Sequence, residues 1–319
     1  MTKKRKALPD SSGGPAAGLA DWRGDEAHVR AADGTLIYAR RASGSAPTTA
    51  LFCDGIACDG FVWKYLWEDL RSTLSVAHFH YRGHGRSGAP GDSERIDVAA
   101  HAADADAVRR ALGDPPVVLV GHSFGTQVAL EAYRLRPEGV KALVLVCGSF
   151  GRITHTFKGT DVLAGVLPDM LSFVGRHPHL GRALWAHVPP KVALAVARLT
   201  GDIDTSRVSP EDVEPYFQHV VHLDFALFLR MLRAAGEHSA EDLLPHVNVP
   251  VLVVAGERDS FTPPQVSRAM AEAIPGAELA PCEGGTHLLP LERHDELARL
   301  VTGFLERRVL GVGQSPHAG

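Results

Sequence analysis

Ser123 lies in Gly121-His122-Ser123-Phe124-Gly125, directly after an apolar run at residues 117–120 and before a helical run at 126–135. A serine at a sharp strand-to-helix turn takes strained backbone angles, and flanking glycines keep side chains off the strand and the helix. Its hydroxyl then projects at the positive end of the following helix. A hydroxyl is a weak nucleophile, so a base must lie within hydrogen-bond reach. Of the 17 histidines, most read as surface or helix-face residues, and His287 is the exception. It follows the flexible turn Glu283-Gly284-Gly285-Thr286 and precedes the closing helix. His122 is too local, its side chain pointing away from the adjacent serine, and His78 and His80 alternate along a strand as packing or surface residues. The base needs an acceptor on its other nitrogen to fix its tautomer and stabilise the imidazolium. Asp259, in the loop after the run at 251–254, supplies one, with Glu257 as runner-up. These three side chains would perform acyl transfer, with Ser123 as nucleophile, His287 as base and Asp259 as orienting acid.

The elements that must position them alternate in type. Residues 28–31, the Asp33-Gly34 turn and residues 36–41 read as a β-hairpin. Apolar runs at 49–53, 75–81, 117–120 and 142–147 then alternate with amphipathic stretches at 61–72, 98–112 and 124–135. Val-, Leu- and Ile-rich runs without strict alternation suit strands buried on both faces by crossover helices. The expected fold is α/β, a doubly wound, mostly parallel sheet. The rhythm breaks after Gly148 and resumes at 249–255. A structureless loop of that length is improbable, so 150–246 reads as an inserted helical cap punctuated by prolines such as Pro168 and Pro215. The core then comprises 22–149 and 247–310, ending in a helix at 264–274, a strand at 278–281 and a helix at 293–307. Residues 1–21 read as a disordered leader and 311–319 as a flexible tail.

In this order and spacing the chain resembles the α/β-hydrolase family, in its capped, esterase-like branch, over roughly residues 33–307. Tyr81-Arg82-Gly83-His84-Gly85-Arg86-Ser87 is similar to that family's Arg-Gly-x-Gly-x-Ser segment, which is structural there. The resemblance implies an oxyanion hole made by the backbone N–H groups of Ile56 and Phe124. The family usually has His-Gly where this chain has Asp54-Gly55. Backbone donors survive that change, but a carboxylate beside a developing oxyanion is tolerable only if turned away and hydrogen-bonded. A serine at the elbow excludes the carboxylate-nucleophile relatives, the haloalkane dehalogenases and epoxide hydrolases. The implied activity is hydrolysis of carboxylic esters of small or medium acyl groups. Lactones, thioesters, dienoate carbon–carbon bonds and perhydrolysis use the same triad, and a ligand receptor with little turnover retains the same residues. No metal or organic cofactor is implied.

Composition bounds the partners. The 319 residues carry a formal net charge of -4, and the only dense basic cluster is Lys3, Lys4, Arg5 and Lys6, which argues against a nucleic-acid or anionic-membrane surface. No apolar window is long enough to span a bilayer, and no apolar stretch follows the basic start to make a secretion signal. The four cysteines are too sparse for a disulfide framework and suit a reducing cytoplasm. The expected partner is the small-molecule ester that the resemblance implies, with cap residues such as Phe173, Leu180, Trp185 and Phe225–Phe228 either lining its pocket or packing helices together.

Overall fold

Residues 20–180, 183, 203–204 and 206–311 are described by the computed structural model. The expected leader, tail and Trp185 therefore lie almost wholly outside the described residues. Eight strands form one sheet in the order β1-β2-β4-β3-β5-β6-β7-β8. The Asp33-Gly34 turn joins β1 (Glu26–Arg30) to β2 (Leu36–Ala42) antiparallel, with Gly34 at φ 85°. Strand β2 pairs antiparallel with β4 (Leu74–Phe79). The remaining strands, β3 (Ala46–Cys53), β5 (Val117–His122), β6 (Val140–Val146), β7 (Val251–Gly256) and β8 (Glu278–Cys282), run parallel.

The two faces of the sheet sort by residue parity. Leu51, Leu119, Leu143, Leu145 and Val253 point into one core, shared with α2 (Val98–Ala111), α3 (Phe124–Leu135) and α8 (Pro264–Ala273). Phe52, Val118, Val120, Val144 and Val254 point into the other, closed by α1 (Lys64–Arg71) and α10 (His294–Leu305). Burial on both faces is why these strands read as continuous apolar runs. Near the chain end, the helix expected over 293–307 is α10, and a separate short helix, α9 (Leu289–Glu292), precedes it, the two parted where Arg293 leaves helical angles at φ -127°, ψ 36°.

Between the adjacent strands β6 and β7 the chain forms α4 (Ile153–Thr156), α5 (Val162–Arg176), α6 (Pro210–His222) and α7 (Phe225–Glu237). Leu167 and Val174 of α5 pack on Leu229 of α7. Pro168 and Pro215 lie inside α5 and α6 instead of ending them. An interior proline forfeits one hydrogen bond and kinks a helix, and here each helix continues past it. No helix among the described residues is long and apolar enough to cross a membrane. All four cysteines are free and buried.

The Arg-Gly-x-Gly-x-Ser segment braces the hairpin against the core. Arg82, 2% exposed, bonds Asp104 through Nε at 2.8 Å and Nη2 at 2.6 Å, and Asp33 through Nη1 at 2.8 Å. Ser87 Oγ donates to the His80 carbonyl at 2.7 Å and accepts the Tyr38 N–H at 2.9 Å. Arg82→Met strands Asp104 as a buried, unpaired carboxylate and is expected to cost about 3–5 kcal/mol in denaturant unfolding. A loss below about 1 kcal/mol would show that the hairpin does not depend on this cluster.

Candidate active site

Four parallel strands deliver four loops to one edge of the sheet. At the end of β5, Ser123 takes φ 55°, ψ -119°, a region L-residues rarely adopt. The turn tolerates it because the residues two positions to either side are glycines. A Cβ on Gly121 would collide with the Gly125 carbonyl, and one on Gly125 with the Cys53 carbonyl. The serine is 9% exposed, and its own N–H is anchored on the Val146 carbonyl at 3.0 Å.

His287, in the loop after β8, stands 2.9 Å from Ser123 Oγ through Nε2. Its Nδ1 lies 2.9 Å from Asp259 Oδ2 and 3.1 Å from Oδ1. In the neutral imidazole an Nδ1–H donated to the carboxylate leaves Nε2 free to accept the serine proton. Phe261 stacks on the ring with centroids 4.9 Å apart and planes 21° from parallel. Asp259, in the loop after β7, is 3% exposed. Its Oδ1 accepts the N–H groups of Phe261 and Thr262, each at 2.9 Å, and its Oδ2 accepts the Thr262 hydroxyl at 2.8 Å. Burial pushes this carboxyl up, but His287 and the Thr262 donors outweigh burial and hold it below the ordinary aspartate value. Glu257 is exposed, and the acid facing His287 is Asp259.

The turn expected to carry one oxyanion donor sits against the elbow. A Cβ on Gly55 would lie 3.4 Å from Ser123 Cβ. Ile56 borders the cavity above the serine, and Phe124 opens α3 directly after it. Among the described residues, no hydrogen-bond acceptor is paired with the N–H of Ile56 or of Phe124. Asp54 is turned onto β4, where its Oδ2 meets His78 Nε2 at 2.8 Å with both side chains fully buried. Its backbone carbonyl accepts the Tyr81 hydroxyl at 2.8 Å.

Of the two placements open to His78 and His80 on their strand, packing is the one they take, and His84, His101 and His122 are buried with them. His122, expected to point elsewhere, donates Nε2–H to the carbonyl of His287 at 2.9 Å and so grips that residue's backbone. Burial, and then the neighbouring His287, push His122 down to about 4, so it is neutral near neutral pH. Thr262 was not singled out by any motif. Its place three residues after Asp259, where side-chain and backbone donors can fold back on a carboxylate, is the signal that would have found it.

Above Ser123 is a cavity of about 400 Å³. Insert residues Ile153, Phe157, Met170, Phe225 and Phe228 border it, facing Ile56, Phe61 and Phe261. Phe225 and Phe228 thus line it, whereas Phe173 at 38% and Leu180 at 50% exposure do not. Phe173 rests on His177 one turn along, with ring centroids 5.2 Å apart. Among the described residues, no group of three His, Cys, Asp or Glu side chains could hold a metal.

The sequence profile of the alpha/beta hydrolase fold matches residues 51–293. The chain belongs to the alpha/beta hydrolase fold family. It is similar to polyketide synthase ThaQ of Burkholderia thailandensis, with 30% identity over 256 residues, covering 79% of this chain and only 11% of that far longer protein. It is also similar to the pimeloyl-[acyl-carrier protein] methyl ester esterase of Neisseria meningitidis serogroup C, 28% identical over 250 residues, covering 76% of this chain and 89% of the relative. Among solved structures, the esterase EaEST from Exiguobacterium antarcticum shares the fold, with a TM-score of 0.71, 19% identity and coverage of 88% of this chain and 98% of that one.

A titration follows from the Asp259 environment. A carboxyl held low in the folded state contributes stability that is fully present above its unfolded pKa, about 3.9, and is lost as pH falls through the folded value. Wild type is therefore expected to be more stable than Asp259→Asn at pH 6–7, with the gap narrowing below about pH 4 in pH-dependent unfolding. A gap constant from pH 7 to pH 3 would mean that the carboxylate gains nothing from its donors.

Proposed function

We propose that this alpha/beta hydrolase is a serine hydrolase that cleaves carboxylic esters of small or medium acyl groups through an acyl-enzyme. The observation that carries the reading is the unbroken chain from Asp259 through His287 to Ser123, 2.9 Å at each link, on the floor of the cavity. His287 takes the Ser123 proton as Oγ bonds the carbonyl carbon. The oxyanion is received by the N–H groups of Ile56 and Phe124. Asp259 stabilises the imidazolium, which then protonates the leaving alcohol. Water activated by the same histidine attacks the acyl-enzyme, and the acid and Ser123 are released. The insert acts as a cap that bounds the acyl group. The similarity to a methyl ester esterase supports ester chemistry.

Ser123→Ala and His287→Ala are each expected to remove almost all turnover on p-nitrophenyl esters with the fold intact, and the double variant to be little worse than either, because the triad acts as a unit. Substantial activity in Ser123→Ala would place the nucleophile elsewhere. Fluorophosphonate labelling of Ser123 without turnover of oxygen esters, thioesters or lactones would leave the receptor reading.

The lining sets a second expectation. Among the described residues, no Lys, Arg, Asp or Glu lines the cavity, whose volume is at the small end of ligand pockets. Each methylene buried there contributes roughly 0.8 kcal/mol, so rates should rise with acyl length until the cavity is full and then fall steeply. A carboxylate placed among these side chains has no partner. A phenyl ester of butyrate is therefore expected to react at least about a hundredfold faster in kcat/KM than the corresponding half-ester of succinate. Equal rates would mean that the acyl group lies outside this cavity.

A further inference from the structure

Glu292 is a carboxylate that the triad does not use. It ends α9 at 4% exposure, and no Lys, Arg or His among the described residues forms an ion pair with it. It is satisfied by three donors. Oε2 accepts the Thr286 N–H at 3.0 Å, and Oε1 accepts the Thr286 hydroxyl at 2.6 Å and the backbone N–H of Asp204 at 2.8 Å. Burying a carboxylate without a cation is costly and is tolerated only when its lone pairs are met. The identity of the donors is therefore informative.

Two of them belong to the residue immediately before His287. Thr286 is fully buried, and its hydroxyl oxygen also accepts the Leu288 N–H at 3.3 Å. The residues on both sides of His287 thus hang from one carboxylate. The third donor comes from the insert, 88 positions earlier in the chain. The same region of the insert rests on the histidine loop in other ways. Val208 and Val213 pack on Leu291 and against Leu288, and Asp204 Oδ2 lies 3.9 Å from the Arg293 guanidinium. At the root of α6, Asp212 bonds Lys64 at 2.7 Å and the Tyr65 hydroxyl at 3.0 Å.

We infer that Glu292 is a positioning residue that ties the insert, through Asp204, to the loop holding His287, so that the seating of the insert over the cavity sets how well the base is aligned with Ser123. The inference rests on the proposed role of His287 as base. When the segment at Asp204 is seated, Glu292 has all three donors and Thr286 is locked. When it lifts, the carboxylate loses a charge-assisted bond, and the histidine loop loses part of its anchorage. Chemistry is thereby favoured in the closed arrangement. Misalignment on the order of 1 Å costs about a hundredfold in rate, so a loose anchor registers in kcat before it registers in binding.

The test uses the full chain and substitutions at three positions. Glu292→Gln keeps the volume but removes the charge and turns an amide donor towards one of the three donors. Thr286→Val removes the hydroxyl at constant shape, and Thr286→Ser keeps it. Each is assayed on p-nitrophenyl butyrate at least 15 degrees below its own melting temperature, so that reduced stability does not pass for reduced alignment. Glu292→Gln is expected to lower kcat about ten- to a hundredfold with KM within about twofold and to slow fluorophosphonate labelling of Ser123 in proportion. Thr286→Val is expected to move in the same direction, and Thr286→Ser to recover most of the rate. For the link to the insert, Asp204→Pro deletes the backbone donor at that end together with the side chain that meets Ser206 and Arg293, so Asp204→Ala, which loses the same side chain but keeps the N–H, is its control. Asp204→Pro is expected to lower kcat by a smaller factor than Glu292→Gln, without raising KM, and Asp204→Ala to leave kcat within about twofold. Unchanged kcat in folded Glu292→Gln and Thr286→Val overturns the inference, as does a loss confined to the melting temperature. If Asp204→Pro alone is silent, the tie to the insert is overturned. Should Ser123→Ala or His287→Ala retain turnover, the triad reading fails first, which separates the two failures.

Discussion

Parallel strands joined by crossover helices must all end at the same edge of the sheet, and every feature of the site depends on that constraint. Strands β3, β5, β7 and β8 contribute, in order, the Asp54-Gly55-Ile56 turn, Ser123, Asp259 and His287. The hydrogen-bonded ladder sets the spacing between these loops, so side chains from positions far apart in sequence arrive within 3 Å of one another without any loop having to be long. Crowding sharpens the arrangement. Because Gly125 rides against the Cys53 carbonyl, the helix after the serine, the end of β3 and the turn after it cannot shift independently.

Charge is handled in two ways. In the hairpin brace, Arg82 answers two aspartates with a guanidinium, an arrangement suited to holding elements together. Around His287, carboxylates are answered mainly by hydrogen-bond donors. Asp259 meets amide and hydroxyl donors besides His287, and Glu292, among the described residues, meets only amides and a hydroxyl. Amide donors leave the negative charge uncancelled, so the carboxylate beside the imidazole keeps its field for a proton arriving on the ring.

The parts of this architecture that were legible in the sequence are those that bury themselves locally. Helix α3 begins at Phe124 and ends at Leu135, as its amphipathic pattern indicates, and β3, β5 and β7 fall within a few residues of their apolar runs. The doubly wound sheet follows from that alternation, and the three side chains at its edge from their loops. What was not legible depends on pairing between strands. Asp54 and His78 are 24 residues apart, and their meeting requires that β3 lie beside β4 with Phe52 opposite His78. The same holds for Glu292 and Asp204, which only the folded insert brings together. Phe173 illustrates a different limit, since hydrophobicity names a residue that avoids water without naming which side of its helix meets the cavity.

The backbone of Ser123 has a consequence for how this protein can change over generations. At φ 55°, ψ -119° a side-chain-bearing residue carries strain of about 1–3 kcal/mol, and only glycine would relieve it. A residue under backbone strain is therefore the one carrying the hydroxyl on which the proposed chemistry depends. Selection for robustness alone would erode that position, by replacing the serine with a residue that rests there without penalty. Keeping Ser123 means accepting a fold slightly less stable than its sheet and helices permit, a trade that persists only while the hydroxyl is in use.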